Sequence, residues 1–559
     1  MKITEQNGFL SKHKEAVASA FLCLAAIAIA LILHPAYETN DDTIMESLLF
    51  GYQGQRTSFL IFINRVLCYI LYFLVSVCPK VNWYFIMHWS ACILSLYVLS
   101  RIFIRKFKSA GFFVSLLMTA AGMETLFMPQ FTKTAALAVI SGTIGVLDSL
   151  REKRSPGFRA ACIWLIVTGS MIRFESLIMV SPFLLCVALY ETVLMYKERK
   201  EQLKRYVAVL GITLVLVALF YLAGTFLNKR TPGSDEFYRI NYYRSMLTDH
   251  EIDYAAIKDR RVLTEIALVT KWLNNDPEVF TPERYEQLYR DYHVEHGMFS
   301  SVTVKALFGH YLPNAMQNEP LLLVCTVVAV AFVLLSKRRY LLIPLAGFYL
   351  LVELYLCSTG RSNVHRVDFG ILLAFLASVL YVNGFSFPGI SDDMKKLVQK
   401  YVVPLLLLMG VVAVCSFPVQ MHLTNSRYNN EVNAALEDIT SNKDYKYMVY
   451  TLALRVDSKR NIFDPPTAYN DGFFYMGGWQ EGIAIPGISF SNHSGIEGNP
   501  WVTCIDSSEV RLVLPKSEGE NPWMKEIAGY VKEHYGRSVK GIPEYGNDLL
   551  QLFRVVSGG

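Results

Sequence analysis

The stretch Ala16–Leu33 (AVASAFLCLAAIAIALIL) contains no charged residue and decides the fold class of this chain. A helix needs about 20 apolar residues to cross about 30 Å of hydrocarbon. Lysines precede the stretch, as they do in a signal peptide, but the stretch is long for one. No small-residue cleavage site follows before His34-Pro35. We therefore expect a retained first membrane span.

Further apolar blocks follow along the whole chain. The 559 residues are 53% hydrophobic, with a mean hydropathy of +0.30, which is more apolar than a soluble protein of this length. Most of the 10 cysteines lie inside these blocks, without the CxxC spacing of a metal site. Since no dense Lys/Arg run alternates with aromatic residues, we expect no nucleic-acid partner.

The blocks predict about eleven membrane spans, which together with their loops form a membrane domain over residues 1–419. The spans are at about 16–33, 83–104, 110–127, 131–150, 158–172, 176–196, 206–227, 320–336, 340–357, 368–387 and 401–419. Basic residues cluster in every second loop, at 101–108, 151–154, 197–205, 337–339 and 395–400. The positive-inside rule places these loops in the cytoplasm. The amino terminus is then cytoplasmic and the carboxyl terminus external, as an odd number of spans also requires.

Three segments are predicted to lie outside, at about 34–82, about 228–319 and 420–559. The last is long enough for a small soluble α/β domain. In it, Lys446–Leu454 (KYMVYTLAL) predicts a strand and Trp523–Tyr535 predicts a helix.

The first external segment contains an apolar stretch that we expect to lie in the membrane interface. Phe59–Cys78 (FLIFINRVLCYILYFLVSVC) is long enough to span, but Asn64 and Arg65 near its middle are costly at the bilayer centre. A crossing here would also invert every later loop. We therefore predict a helix lying along the outer surface, preceded by a shorter helix at about Thr43–Phe50.

Acidic and basic side chains collect at the outer ends of the predicted spans. They are Asn40-Asp41-Asp42 after span one, Glu124 and Lys133 at spans three and four, Arg173 and Glu175 between spans five and six, Glu353 on span nine, and Arg361, His365 and Arg366 in the loop 358–368. Each also has a structural interpretation: an Asp or Asn can cap a helix, Glu124 and Lys133 can pair, and interfacial residues can reach water. Together they predict an outward cavity with acids and a separate cationic patch, which suits a phosphate-bearing lipid and an activated nucleophile.

This order of features resembles the GT-C superfamily of polyprenyl-phosphate-dependent membrane glycosyltransferases. The features are a cytoplasmic amino terminus, one span, an acidic pair at its outer mouth, two interfacial helices and a soluble external tail. The motif TNDDTIM at 39–45, the stretch Phe59–Cys78 and Asn82-Trp83-Tyr84 are similar to uncharacterised bacterial members. The tail lacks a WWD-type motif, so asparagine-linked protein glycosylation is not expected.

The resemblance implies a GT-C-like fold in a bacterial cytoplasmic membrane. It also implies sugar transfer, with inversion, from a polyprenyl-phosphate donor to an extracytoplasmic hydroxyl acceptor such as a cell-wall or surface glycan. Asp41 matches the catalytic base, Glu124 the assisting acid, and Arg361 and Arg366 the phosphate contacts. We count Asp42 among the catalytic candidates, and we expect His365, Arg173 and Glu175 to line the substrate site.

A cofactor is not required by this chemistry. Asp41, Asp42 and Glu124 are hard oxygen ligands that could bind a divalent cation. No nucleotide-binding motif occurs in a suitable context. This agrees with a lipid-linked donor, which needs no nucleotide site.

Other functions stay open. A transporter or flippase for lipid-linked glycans would also carry intramembrane charges, although no inverted repeat or pair of broken helices is evident in the sequence. A polysaccharide polymerase or ligase would use the segment 228–319. A membrane scaffold without enzymatic activity is the third alternative.

Overall fold

Helices form almost all of the chain up to residue 439. The computed structural model describes residues 2–51, 56–198, 200–336, 338–383, 392–450, 462–463, 473–477, 496 and 498–558. The helices in the first part are α1 Lys2–Ile32, α2 Asn40–Phe50, α3 Arg65–Val77, α4 Trp83–Phe107, α5 Gly111–Phe127, α6 Phe131–Arg151, α7 Pro156–Ile172, α8 Phe174–Glu198, α9 Lys200–Lys229, α10 Ser234–Asp249, α11 Arg260–Thr270, α12 Pro282–Tyr292, α13 Ser301–Ala306, α14 Leu312–Asn318, α15 Pro320–Leu335, α16 Leu342–Ser358, α17 His365–Val382, α18 Asp392–Leu397 and α19 Val403–Ile439.

Among the described residues, eight helices are long and apolar enough to cross a membrane, within α1, α4, α6, α8, α9, α16, α17 and the stretch Val398–Ile439. A ninth span results if Ser301–Asn318 and Pro320–Leu334, which meet at an angle of 96°, are counted as one. This confirms a polytopic helical membrane protein. The predicted spans at 110–127 and 158–172 correspond to the shorter helices α5 and α7, of 17 residues each, so the total of about eleven stays a prediction.

The two shorter helices pack antiparallel to the helices before them, α5 against α4 and α7 against α6. Trp89 Nε1 donates to Leu126 O at 2.9 Å near one end of α4 and α5, and Ser115 Oγ donates to Ser100 O at 2.9 Å near the other. In α6 and α7, a Cβ added to Gly142 would lie 2.6 Å from Cys162 O. Small residues allow this close antiparallel approach of membrane helices.

The predicted interfacial helix is shorter than its apolar stretch. Residues 59–64 are not helical. The helix α3 begins at Arg65, and its N-cap is Asn64, whose side chain accepts from Val66 N. The Arg65 side chain donates to Ser58 O and packs 5.0 Å from the centre of the Phe59 ring. The 13 residues of α3 span about 20 Å, too short for the hydrocarbon core. The predicted helix at Thr43–Phe50 is α2, which starts earlier, at Asn40.

The tail contains a small sheet with helices, which confirms the predicted α/β character. Two short strands, β1 Glu251–Ile252 and β2 His293–Val294, pair within the second external segment. The tail contains β3 Lys446–Tyr450, β4 Phe473–Met476, α20 Pro500–Thr503, β5 Val510–Pro515, α21 Pro522–Tyr535, β6 Val539–Gly546 and β7 Leu550–Ser557. Their order is β4-β3-β5-β7-β6, with parallel pairing on both sides of β3 and antiparallel pairing on both sides of β7. Residues 451–454 of the predicted strand lie outside the described residues.

The tail packs against the segment 228–319, which the sequence predicts to be external. Tyr530 Oη donates to Asp276 at 2.7 Å, and Tyr535 Oη donates to the same carboxylate. Lys271 pairs with Glu526 at 2.6 Å. The tail is joined to the bundle by α19, which continues past residue 420 to Ile439.

Candidate functional site

The predicted acidic pair lies in the first turn of α2, where the helix dipole favours negative charge. Neither acid is the N-cap, since that position is Thr39, whose side chain makes no capping hydrogen bond. Asp42 is fully buried. It accepts from Tyr84 Oη at 2.9 Å and from Thr39 Oγ1 and Phe131 N at 3.2 Å each. Burial raises the pKa of Asp42, an effect that the Tyr84 bond opposes and the neighbouring Asp41 charge reinforces. Asp42 therefore joins α2 to the bundle.

Asp41 remains partly exposed beside Arg173. Arg173 lies at the turn between α7 and α8, with its guanidinium 5.0 Å from the centre of the Phe62 ring and 4.9 Å from that of Phe131. These two rings stack on one another at 5.1 Å. Burial lowers the pKa of Arg173, Glu175 and Asp41 raise it, and Arg366 and Arg361 lower it further. Four other predicted site residues thus lie within electrostatic reach of Arg173.

The two loop arginines differ in their surroundings. Arg361 donates from Nε to Asp249 Oδ2 at 3.0 Å, and its Nη2 lies 3.0 Å from the same oxygen. The preceding Gly360 has φ +66°, and a Cβ there would collide with Asp249 O, so only glycine permits this approach. Arg366 is partly exposed, and no carboxylate of the described residues lies within ion-pair distance of it. Within the described residues, Arg361 is thus paired with a carboxylate and Arg366 is not.

Glu124 and His365 belong to a buried network of charges. Lys133 Nζ lies 3.0 Å from Glu124 Oε1 and also pairs with Glu38. His365 Nε2 lies 3.3 Å from Glu124, and its Nδ1 lies 3.0 Å from Glu319. The structural interpretation of Glu124 and Lys133 as an ion pair describes this geometry. Sequence reasoning missed Glu38 and Glu319, although both carboxylates border predicted spans.

A contact between the tail and the bundle was also missed. Asn82, the N-cap of α4, donates from Nδ2 to Glu46 Oε1 at 2.6 Å and to Ile462 O at 2.7 Å. The Phe463 ring packs edge-on against Phe85 at 5.0 Å and Trp89 at 5.3 Å. Glu46 lies on α2, so the tail contacts the element that carries the acidic pair.

An apolar groove of about 310 Å³ lies among α15, α16 and α17. Its lining includes Leu322, Val330, Leu342, Tyr349, Leu372 and Phe375. Leu322 is three residues from Glu319, so the groove starts beside the buried charge network.

The predicted metal candidates do not form one cluster. Asp42 faces Tyr84 and Phe131, and Glu124 faces Lys133. Within the described part of the chain, no three His, Cys, Asp or Glu side chains are grouped so that they could hold a metal ion.

Comparison with solved structures gives a distant likeness. No protein-family model and no curated protein sequence matches this chain. The crystal structure of ArnT from Cupriavidus metallidurans bound to undecaprenyl phosphate aligns over 97% of this chain and 98% of that chain, with 9% sequence identity and a TM-score of 0.47. A likeness of this size does not by itself establish a shared fold or a shared activity.

Proposed function

We propose that this protein transfers a sugar from a polyprenyl-phosphate donor to a hydroxyl acceptor on the outer face of a bacterial cytoplasmic membrane. The observation that carries the proposal is the position of Arg173, on which the charges of both Asp41 and Arg366 act. A carboxylate can accept the proton of an attacking hydroxyl. Guanidinium groups can stabilise the charge of a departing phosphate. The resemblance of the TNDDTIM segment to GT-C enzymes supports the same assignment.

In the proposed reaction, Asp41 takes the proton while the acceptor oxygen attacks the anomeric carbon. The bond between that carbon and the phosphate oxygen breaks, and its electron pair leaves with the lipid phosphate. A single displacement of this kind inverts the anomeric centre. Asp42 acts as a positioning residue, because its bonds to Tyr84 and Phe131 hold the first turn of α2.

The donor phosphate is assigned mainly to Arg366 and Arg173. Arg173 packs beside the stacked Phe62 and Phe131 rings and pairs with Glu175 at 3.6 Å, so its side chain loses little freedom on binding. Arg361 supports the loop through Asp249. The groove among α15–α17 suits the polyprenyl chain, since its lining is apolar and it starts at Leu322, three residues after Glu319.

A flippase for lipid-linked glycans is the second candidate function. It is favoured by the 96° bend between Ser301–Asn318 and Pro320–Leu334, because interrupted helices are typical of transporters. The flippase would move the donor without breaking its glycosidic bond.

The test uses purified protein in lipid nanodiscs with polyprenyl-phosphate hexoses and a hydroxyl acceptor from envelope glycan. We expect release of free polyprenyl phosphate and its loss in Asp41→Asn. Asp235→Asn, on the exposed start of α10, is the matched control. Donor that crosses proteoliposome membranes intact, with no release in either assay, would contradict the transferase and support the flippase.

A further inference from the structure

Glu353 is a buried carboxyl group in a membrane helix. It lies on α16, with 0% of the residue exposed. Neither of its carboxylate oxygens has a hydrogen-bond partner among the described residues. An isolated ionised carboxylate in such surroundings is very costly, so the group must be neutral or bind a cation.

A second carboxyl group lies next to it. Asp368, in the first turn of α17, is 1% exposed, and its charge acts on Glu353. Tyr311 Oη donates to Asp368 Oδ1 at 3.1 Å and also neighbours Glu353. The buried hydroxyl of Tyr349, one turn before Glu353, has no hydrogen-bond partner within the described chain.

Among the described residues, neither carboxyl forms an ion pair, although the charge of His365 acts on Asp368. In the part of the chain that the structure describes, no Lys, Arg or His lies within ion-pair distance of Glu353 or Asp368, and His365 is engaged by Glu124 and Glu319. The other titratable groups around the pair are Tyr311, Tyr349, Cys325, Cys357, Glu319 and His365. Two adjacent buried carboxyls without a counter-ion cannot both be ionised, so they share a proton.

The surroundings decide which group carries the proton. Asp368 accepts from Tyr311 and lies at a helix amino terminus, and both features stabilise its negative charge. Glu353 lies near the carboxyl end of α16, and the single hydroxyl proton of its neighbour Tyr311 is donated to Asp368. Glu353 is therefore the protonated member.

We propose that Glu353 and Asp368 form an intramembrane proton-binding site in which Glu353 holds the proton. The site adjoins the apolar groove, because Tyr349 and Leu372 line the groove and lie one turn from Glu353 and Asp368. It also contacts the bent helix pair, because Tyr311 ends the π-helical turn Leu307–Tyr311 that precedes α14. Loss of the proton places two negative charges around Tyr311. Ionisation of this site would therefore change the electrostatic surroundings of the bent helix pair.

Dicyclohexylcarbodiimide provides a direct test, since this apolar reagent adds to protonated carboxyl groups. Wild-type protein in nanodiscs is treated with the reagent and its peptides are mapped by mass spectrometry. We expect modification of Glu353 at neutral pH that declines as the pH rises. Two controls should stay unmodified: Glu124, which is buried but paired with Lys133, and Glu236, which is exposed.

Infrared spectroscopy checks the same proton without any reagent. The difference spectrum between wild type and Glu353→Gln, which mimics the neutral acid and should keep the fold, should contain the carbonyl stretch of a protonated carboxyl. The difference spectrum between wild type and Glu124→Gln should lack it. A difference spectrum between wild type and Glu353→Gln that contains only carboxylate bands would overturn the proposal. Protection of Glu353 by sodium but not by choline at fixed pH would also overturn it, because the ligand would then be a metal cation. Neither measurement requires sugar transfer, so failure of the proposed function leaves this test intact.

Discussion

Arg361, in the loop between α16 and α17, is bound to Asp249 at the end of α10, with both contacting nitrogens 3.0 Å from one carboxylate oxygen. The pair joins the loop between α16 and α17 to the segment 228–319. The pair also distinguishes Arg361 from Arg366, which the sequence analysis named as equal candidates for the phosphate contact. Of the two, only Arg366 has no carboxylate partner in the described structure.

The first prediction follows from this difference. Arg366→Gln should raise the donor KM by about tenfold to a hundredfold, because a hydrogen bond to a charged group contributes about 1.5–3 kcal/mol. Arg361→Gln should raise it less and should lower the melting temperature, since Asp249 loses its partner. Initial rates at limiting donor and thermal unfolding measure both effects. Equal donor KM values for wild type and Arg366→Gln would remove Arg366 from the phosphate site.

Asp41→Asn tests the proposed base. Loss of general-base help should lower kcat by about a hundredfold or more, while the melting temperature stays close to wild type because Asp41 is partly exposed. Asp42→Asn is the control, since its amide oxygen can still accept from Tyr84 and Phe131. Full turnover of a folded Asp41→Asn protein would exclude Asp41 as the base.

Lys133 should be essential for stability. Lys133→Met leaves Glu38 and Glu124 buried without their common cation, and breaking a buried ion pair costs about 3–5 kcal/mol. Adding Glu124→Gln removes one of the two stranded charges and should recover part of the loss. Melting temperatures of the single and double variants in detergent measure this. A single variant as stable as wild type would show that the pair contributes nothing.

The segment 228–319, which contains His250 and His293, should lose stability in acid. His293 Nε2 and His250 Nδ1 are 2.9 Å apart, which requires at least one neutral ring. Burial lowers the pKa of both histidines from the ordinary value of 6.5, Arg361 lowers that of His250 further, and Asp249 and Glu295 raise it. Because the folded pKa lies below the unfolded one, the stabilisation is present above pH 6.5 and declines as the pH falls.

Melting temperatures at about pH 7.5 and about pH 5.5 bracket the range in which histidine titrates. We expect a smaller difference between them in the His250→Asn/His293→Asn double variant than in wild type. His310→Asn, at an exposed position, should behave like wild type. An unchanged pH dependence in the double variant would exclude this pair as its source.

The orientation of the chain can be read by cysteine labelling. We expect a cysteine at Glu518 to react with an impermeant reagent from outside and one at Arg205 to react only after the membrane is opened. Both positions are exposed in the structure. Ser494, another tail position predicted to be external, lies outside the described residues. The reverse labelling pattern would invert the predicted topology.

The sequence predicts this structure best where the signal is local. Hydropathy found the long helices, and the pattern at Trp523–Tyr535 found α21, because each signal is contained within one element. The contacts Arg361–Asp249 and Asn82–Ile462 join residues 112 and 380 positions apart, and no spacing in the sequence encodes them. Phe59–Cys78 was predicted as one helix, because hydropathy did not register that Asn64 caps a helix in its middle.

The single helix α19 has a mechanical consequence. Its 37 residues extend about 55 Å, roughly 25 Å more than the hydrocarbon core. A tail on a Gly/Ser-rich linker would sample many heights and tilts, whereas this tail is joined to the bundle by one continuous helix. If residues 401–419 span the membrane as predicted, this helix and the contacts of Asp276 with Tyr530 and Tyr535 should hold the sheet at a fixed height above the lipid headgroups. A bulky molecule on the predicted outer side would have to fit below the sheet or approach from a side that the tail does not cover.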